Sequence, residues 1–415
     1  MKLVLSVVSF LISFQVLYAQ TSYTWNGSTS GSWGNAANWT PAGVPGGLDD
    51  VTIVAAPNDC KLNTTAFINN ITVTSGTLDL NGNLLIVSGP NALFTSGLVR
   101  NGGLFVNNAN ILTFGNGVFT LDCPGNFSAA SISIRNSTFL QSVSITKTGA
   151  TDDGNNRNNT FNAPVTIANA GSGYLLLGNG GADVFNSSAN FDNLGSANLF
   201  IAYSGTNHRF NGTVTVSNYA SNNSSILLSP LASGTVFNGD IVVNNSSADG
   251  NITICNSSTS ASATQTAGHT LQIGGDGFST GRLLIRRFTQ LGNAPVNLNL
   301  TGAAEMNFGT GTAIGGALTV SAPNIYLSGS TFNGPVNLTK TDGNQTNASS
   351  GGNIFQDELS VNYISTSGTG YWSFGNGSPD VYHGDVHSNN NSLNRIIFGH
   401  ASANNLFNGN FYVSQ

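Results

Sequence analysis

A seven-residue phrase, Phe-Asn-Gly-x-Val-x-Val in its fullest form, recurs through most of this chain and limits its fold more than any other feature. Clear copies start at Phe161, Phe210, Phe237, Phe332 and Phe407, and weaker ones at Phe139, Phe185, Ala267, Gly292, Ile314, Phe355 and Tyr382. The mean spacing from Phe139 to Phe407 is about 24 residues, within the range of stacked-repeat architectures. A second short apolar run lies between phrases, as in Tyr174-Leu175-Leu176-Leu177, Leu199-Phe200-Ile201 and Ile226-Leu227-Leu228. These runs are short, alternate with polar residues, favour β-branched and aromatic side chains, and are bounded by Gly, Asn and Ser, which is the signature of strands. An immunoglobulin-like sandwich needs about 100 residues per unit. A repeat of about 24 residues matches one coil of a parallel β-helix, and parallel crossovers are right-handed. The expected fold is therefore all-β: a parallel, right-handed β-helix, or β-solenoid.

Stacking explains the composition. Each phrase position becomes a ladder along the axis, with like side chains about 4.8 Å apart. Phe161, Phe185, Phe210, Phe237, Phe332, Phe355, Tyr382 and Phe407 are expected to form an inward aromatic stack, beside an aliphatic row of Val165, Val214, Ile241, Val336 and Val386. Asn162, Asn186, Asn211, Asn238, Asn333 and Asn408 follow the aromatic position, where side-chain amides can bond in a ladder. The following Gly allows a positive φ or a close backbone approach. Like charges stacked in register repel, and only 7% of residues are charged, against about 25% in ordinary soluble domains.

The sequence divides into a predicted signal peptide (1–19), a Trp-rich N-terminal cap (20–50), irregular β-helix coils (51–138) and regular repeats (139–415). The first segment has a positive start at Lys2, an apolar stretch from Leu3 to Val16, and a small residue, Ala19, before the expected cleavage site. Secretion is the expected localisation, with no integral membrane segment after cleavage. The cap carries Trp25, Trp33 and Trp39, three of the four tryptophans, and an open solenoid end requires cover. No equivalent cap precedes Gln415, so the native chain is expected to continue beyond it. Cys60, Cys123 and Cys255 are too widely spaced for a zinc motif or a disulfide framework and are expected in the core.

Two patterns carry a family resemblance. Trp25-Asn26-Gly27, Trp33, Asn38-Trp39, Pro45 and Asp49-Asp50-Val51-Thr52-Ile53 resemble the opening of bacterial secreted surface proteins with autotransporter-like β-helices. The repeated phrase, alternating with Tyr-x-x-Leu-Gly or Phe-Gly, is similar to the very long Asn-rich and Gly-rich repeat proteins of gliding bacteria. The resemblance implies export, a parallel β-helix and a structural or adhesive surface role, and it implies no catalytic residues.

Candidate chemistry is sparse. His383, Asp385 and His387 share a face if their segment is one strand, and two imidazoles with a carboxylate are a weak candidate metal site. The adjacent acids Asp152-Asp153 and Asp357-Glu358 point to opposite faces of a strand and are expected in turns. Arg282, Arg286 and Arg287 form the one basic cluster, suited to an acidic polysaccharide or to an ordinary exposed face. Trp25, Trp33 and Trp39 are possible glycan-binding residues if their rings are exposed, and a buried plug otherwise. The net charge of −6, with scattered basic residues, argues against nucleic acid as a partner. Neither a catalytic residue nor a cofactor is assigned. The expected function is a non-enzymatic structural or adhesive solenoid whose partners are polysaccharides, cell-surface glycans or further copies of itself. A polysaccharide lyase or glycosidase, or a carbohydrate-binding module, is the alternative.

Overall fold

The computed structural model describes residues 20–256, 260–343, 347–365 and 368–415; the predicted signal peptide lies outside them. The chain is a parallel β-solenoid of about 15 turns, each of roughly 23 residues. At one strand spacing per turn this is a rod about 70 Å long. Each complete turn contributes three strand positions. In one turn these are Val165–Asn169 on a first face, Leu175–Leu176 on a second and Val184–Phe185 on a third. The next turn lays Ala189–Asn193, Leu199–Ile201 and Arg209–Phe210 on them in parallel register.

One inward position of the third face can be followed through the molecule. It runs Cys60, Leu78, Val99, Leu121, Phe139, Phe161, Phe185, Phe210, Phe237, Gln265, Gln290, Ile314, Phe332, Phe355, Tyr382 and Phe407. From Phe139 to Phe237 the rings lie nearly parallel with centroids 4.7 to 4.9 Å apart. The stack resumes from Phe332 to Phe407 at 4.5 to 5.2 Å. The aromatic stack inferred from the phrase is thus present, and Val165, Val214 and Ile241 form the aliphatic row beside it. The ladder passes residue 138 without a break.

Two copies of the phrase are displaced. The sequence places weak copies at Ala267 and Gly292, but Gln265 and Gln290 occupy the aromatic position two residues earlier. Both are buried, with Gln265 Nε2 donating to the carbonyls of Gly239 and Thr270 and Gln290 Nε2 to those of His269 and Ala294. A long amide fills the space of a ring and ties down the adjoining corners, so the core tolerates a polar residue that the pattern excludes.

The Gly of the phrase is required by close approach rather than by φ. A Cβ on Gly239 would lie 2.4 Å from the Gly212 carbonyl oxygen, and one on Gly409 2.4 Å from that of Gly384. The corner after the aromatic residue therefore packs backbone on backbone from turn to turn. The N-terminal end is closed by Ser22–Trp25, which pairs in parallel with Asp50–Ile53 and antiparallel with Trp39–Thr40. Cys60, Cys123 and Cys255 are free and buried, and burial pushes the thiols of Cys123 and Cys255 up to about 12.

Candidate functional site

The three cap tryptophans pack against one another edge to face, with Trp25–Trp39 and Trp33–Trp39 centroids 5.0 and 4.7 Å apart. Their exposures are 1%, 5% and 1% for Trp25, Trp33 and Trp39. The Trp25 indole N–H donates to the Asn58 carbonyl and that of Trp39 to the Trp33 carbonyl. Rings buried to this degree present no face to a sugar, so the possible glycan-binding role of these residues is corrected: they plug the solenoid. Asn38, fully buried beneath them, accepts from the backbone of Thr29 and Ser30 and from the Thr29 hydroxyl.

His383, Asp385 and His387 do not form a metal site. The segment is two strands, Val381–Tyr382 and Val386–Asn390, separated by a corner, so the three residues do not share one strand face. His383 Nδ1 lies 2.9 Å from Asn408 Nδ2, Asp385 accepts from the Asn410 backbone, and His387 stacks on Tyr412. Among the described residues no three His, Cys, Asp or Glu side chains converge. The adjacent acids serve corners: Asp153 accepts from the Ser131 hydroxyl and the Ile132 N–H, and Asp152 from the Tyr174 N–H.

The exposed amide ladder is shorter than the phrase implies. Asn186 donates to Asn162, Asn211 to Asn186 and Asn238 to Asn211, at 2.6 to 2.7 Å. Beyond Asn238 the position is held by Thr266, Leu291 and Gly315 before Asn333, and by Gln356 and His383 before Asn408. A second ladder, missed in the sequence, is fully buried: Asn169, Asn193, Asn218 and Asn245 align at the end of the first-face strand. Asn218 Nδ2 donates to the Ser224 carbonyl and Asn245 Nδ2 to that of Gly250. Lys147 precedes Asn169 in this row and performs the same task, its Nζ bonding the Gly149 and Gly173 carbonyls. The signal for this row was the terminal Asn of Val-Thr-Ile-Ala-Asn, Ala-Asn-Phe-Asp-Asn and Val-Thr-Val-Ser-Asn.

Several concavities mark the surface, and two of them bear on candidate residues or exposed rings. Near the N-terminus a groove of about 660 Å³ has a floor of Gly102, Gly103 and Gly125 and walls that include Leu84, Phe105, Pro124 and Pro164. The outward row Phe67, Ile86, Phe105 reaches it at Phe105, and Phe67 is 57% exposed. These rings were legible as outward residues, since each alternates with buried neighbours. The second concavity, of about 360 Å³, contains Arg286 and Arg287. Arg282 is separate from it, its Nε 2.5 Å from Glu305 Oε1.

Residues 24–122 match a family model described as a domain of unknown function (DUF8693). This stretch covers most of the cap and the first turns, including Phe67, Leu84 and Phe105. Neither the curated proteins nor the solved structures contain a match to this chain.

Proposed function

We propose that this protein is a secreted, non-enzymatic β-solenoid that acts as a structural or adhesive rod outside the cell, contacting polysaccharides, cell-surface glycans or further copies of itself. The observation that carries this reading is the outer amide ladder from Asn162 to Asn238, set on a continuous stacked core. Side-chain amides held in a row at the strand spacing offer alternating donors and acceptors to a chain of hydroxyl groups. The near absence of charge along most of the rod suits contact with sugar hydroxyls. The likeness of the opening and the repeat to exported surface proteins of bacteria, gliding bacteria among them, supports the same reading. The buried tryptophans shift the expected contact surface from the cap to the faces of the rod.

The test uses residues 20–415 with a panel of immobilised plant, algal and bacterial polysaccharides, scoring retained protein and released sugar ends in each well, with and without calcium. The expected result is retention without release. Release of ends at a rate proportional to protein would overturn the reading and support the lyase or glycosidase alternative.

A further inference from the structure

The recess at Arg286 and Arg287 arises from unequal corners between the second and third faces. Two residues, Arg286 and Arg287, join the strand Arg282–Ile285 to Phe288–Gln290. The next three turns use longer corners, residues 309–312, 328–330 and 349–353. The short corner draws back and leaves a cavity of about 360 Å³ whose far side carries Asn307, Thr310, Ser328 and Ser350, with Tyr326 beside them. Among the described residues no carboxylate lines it.

Both arginines are held in place. A Cβ on Gly309 would lie 2.5 Å from Arg286 Cγ, so the Arg286 stem lies across a position that only glycine leaves open. Arg287 has φ of 44°, and it is the one charged residue among the described non-glycine residues with positive φ. A long L side chain is disfavoured there, and glycine would be unstrained. Local strain retained at a surface corner points to a role for the side chain. Among the described residues neither arginine has an ion-pair partner, whereas Arg282 is matched by Glu305.

We propose that this recess binds the oxyanion of an acidic sugar, a uronate carboxylate or a sugar sulfate within a polysaccharide. Guanidinium forks grip planar or tetrahedral oxyanions by paired hydrogen bonds, and the facing hydroxyl and amide groups suit the hydroxyls of the same ring. The site deepens the adhesive reading by naming one ligand, and it rests on that reading only for the ligand being a glycan.

The experiment is calorimetric titration of residues 20–415 with a galacturonate hexamer, a carboxylate-free sulfated galactan oligomer, cellohexaose and inorganic sulfate. One of the two charged oligomers should bind saturably, with affinity falling as salt rises. Which one binds assigns the carboxylate or the sulfate. Arg286→Ala and Arg287→Gly should each weaken that binding about tenfold or more, the loss of a charge-assisted hydrogen bond, while Arg282→Ala leaves it unchanged. Arg287→Gly also relieves the backbone, so its melting temperature should equal or exceed that of the parent protein, separating lost binding from lost folding. The site is overturned if neither charged oligomer binds, if both arginine variants bind as the parent does, if cellohexaose binds equally, or if inorganic sulfate binds as tightly as the oligomers. Retention on polysaccharides that survives in both arginine variants would overturn this site and leave the adhesive rod standing. Retention on no glycan would overturn this site and the glycan-contact part of the reading, leaving a structural rod that contacts its own copies.

Discussion

At the scale of single residues, two asparagine rows with the same chemistry differ in energetic weight because they differ in access to water. Asn218 is fully buried, accepts from Asn193 and donates to the Ser224 carbonyl. Asn218→Ala strands a carbonyl inside the rod and should cost about 1–3 kcal/mol. Asn211 makes bonds as short, to Asn186 and from Asn238, but water replaces them, so Asn211→Ala should cost no more than about 0.5 kcal/mol. Denaturant midpoints of the two variants check the difference. Asp183 gives the rod a pH dependence. It is buried, accepts two bonds from Asn159, and burial raises its carboxyl to about 7 from 3.8. The native state therefore holds a proton that the unfolded chain has released, and stability falls as pH rises from about 4 to about 7. His208, whose Nδ1 accepts the Asp183 N–H and whose Nε2 faces the Ser204 carbonyl, is lowered by burial and acts in the opposite sense. Its share is present above its ordinary value of 6.5 and is lost as pH falls through the lowered one. Asp183→Asn keeps the acceptor and removes the proton, so between about pH 5 and about pH 7.5 its melting temperature should fall less than that of the parent protein.

At the scale of strands and turns, what could be read in advance depended on whether neighbouring turns repeat a residue. The Phe, Val and corner Gly positions repeat, and the structure places them where the phrase implies, because stacking demands the same shape at each rung. The buried Asn row is hard to read in the sequence because Lys147 before it and Phe278 after it hold the same position. The metal candidate failed for the converse reason: a corner at Gly384 and Asp385 separates what looked like one strand. Corner lengths are set by packing on the turn beneath, and the sequence of one turn does not display them. The arginine recess was visible only as a cluster for the same reason, since its opposite wall comes from residues about 20 to about 65 positions further along the chain. Gln265, Gln290 and Ile314 split the aromatic stack into two blocks, and the adjoining strand Leu271–Phe278 shifts register against Ile241–Asn245. Stacked rings contribute about 0.5–1.5 kcal/mol per pair beyond burial, so this seam should be the weakest junction of the rod. Hydrogen exchange should be faster at Ala263–Gln265 and Phe288–Gln290 than at Thr235–Phe237. Uniform protection across all three strands would contradict the seam.

At the scale of the whole molecule, the rod is held by contacts between successive turns, and its surface sites are made by side chains brought together from those turns. A cap closes the N-terminal end with tryptophan, while Phe407 and Phe411 of the final turn are 38% and 43% exposed. The amide ladder and the arginine recess both depend on one register of stacking. Paired cysteines test that register most directly. Asn186 and Asn211 occupy adjacent rungs about 4.8 Å apart, inside the roughly 4.4–6.8 Å range between Cα atoms that a disulfide spans. Asn186 and Asn238 are two rungs and about 10 Å apart. The native thiols are buried and will not compete. Under mild oxidation the Asn186→Cys, Asn211→Cys double variant should form a disulfide while folded, and the Asn186→Cys, Asn238→Cys variant should not. Bonding of the two-rung pair, or failure of the adjacent pair in a folded protein, would contradict the stacked register and the account built on it.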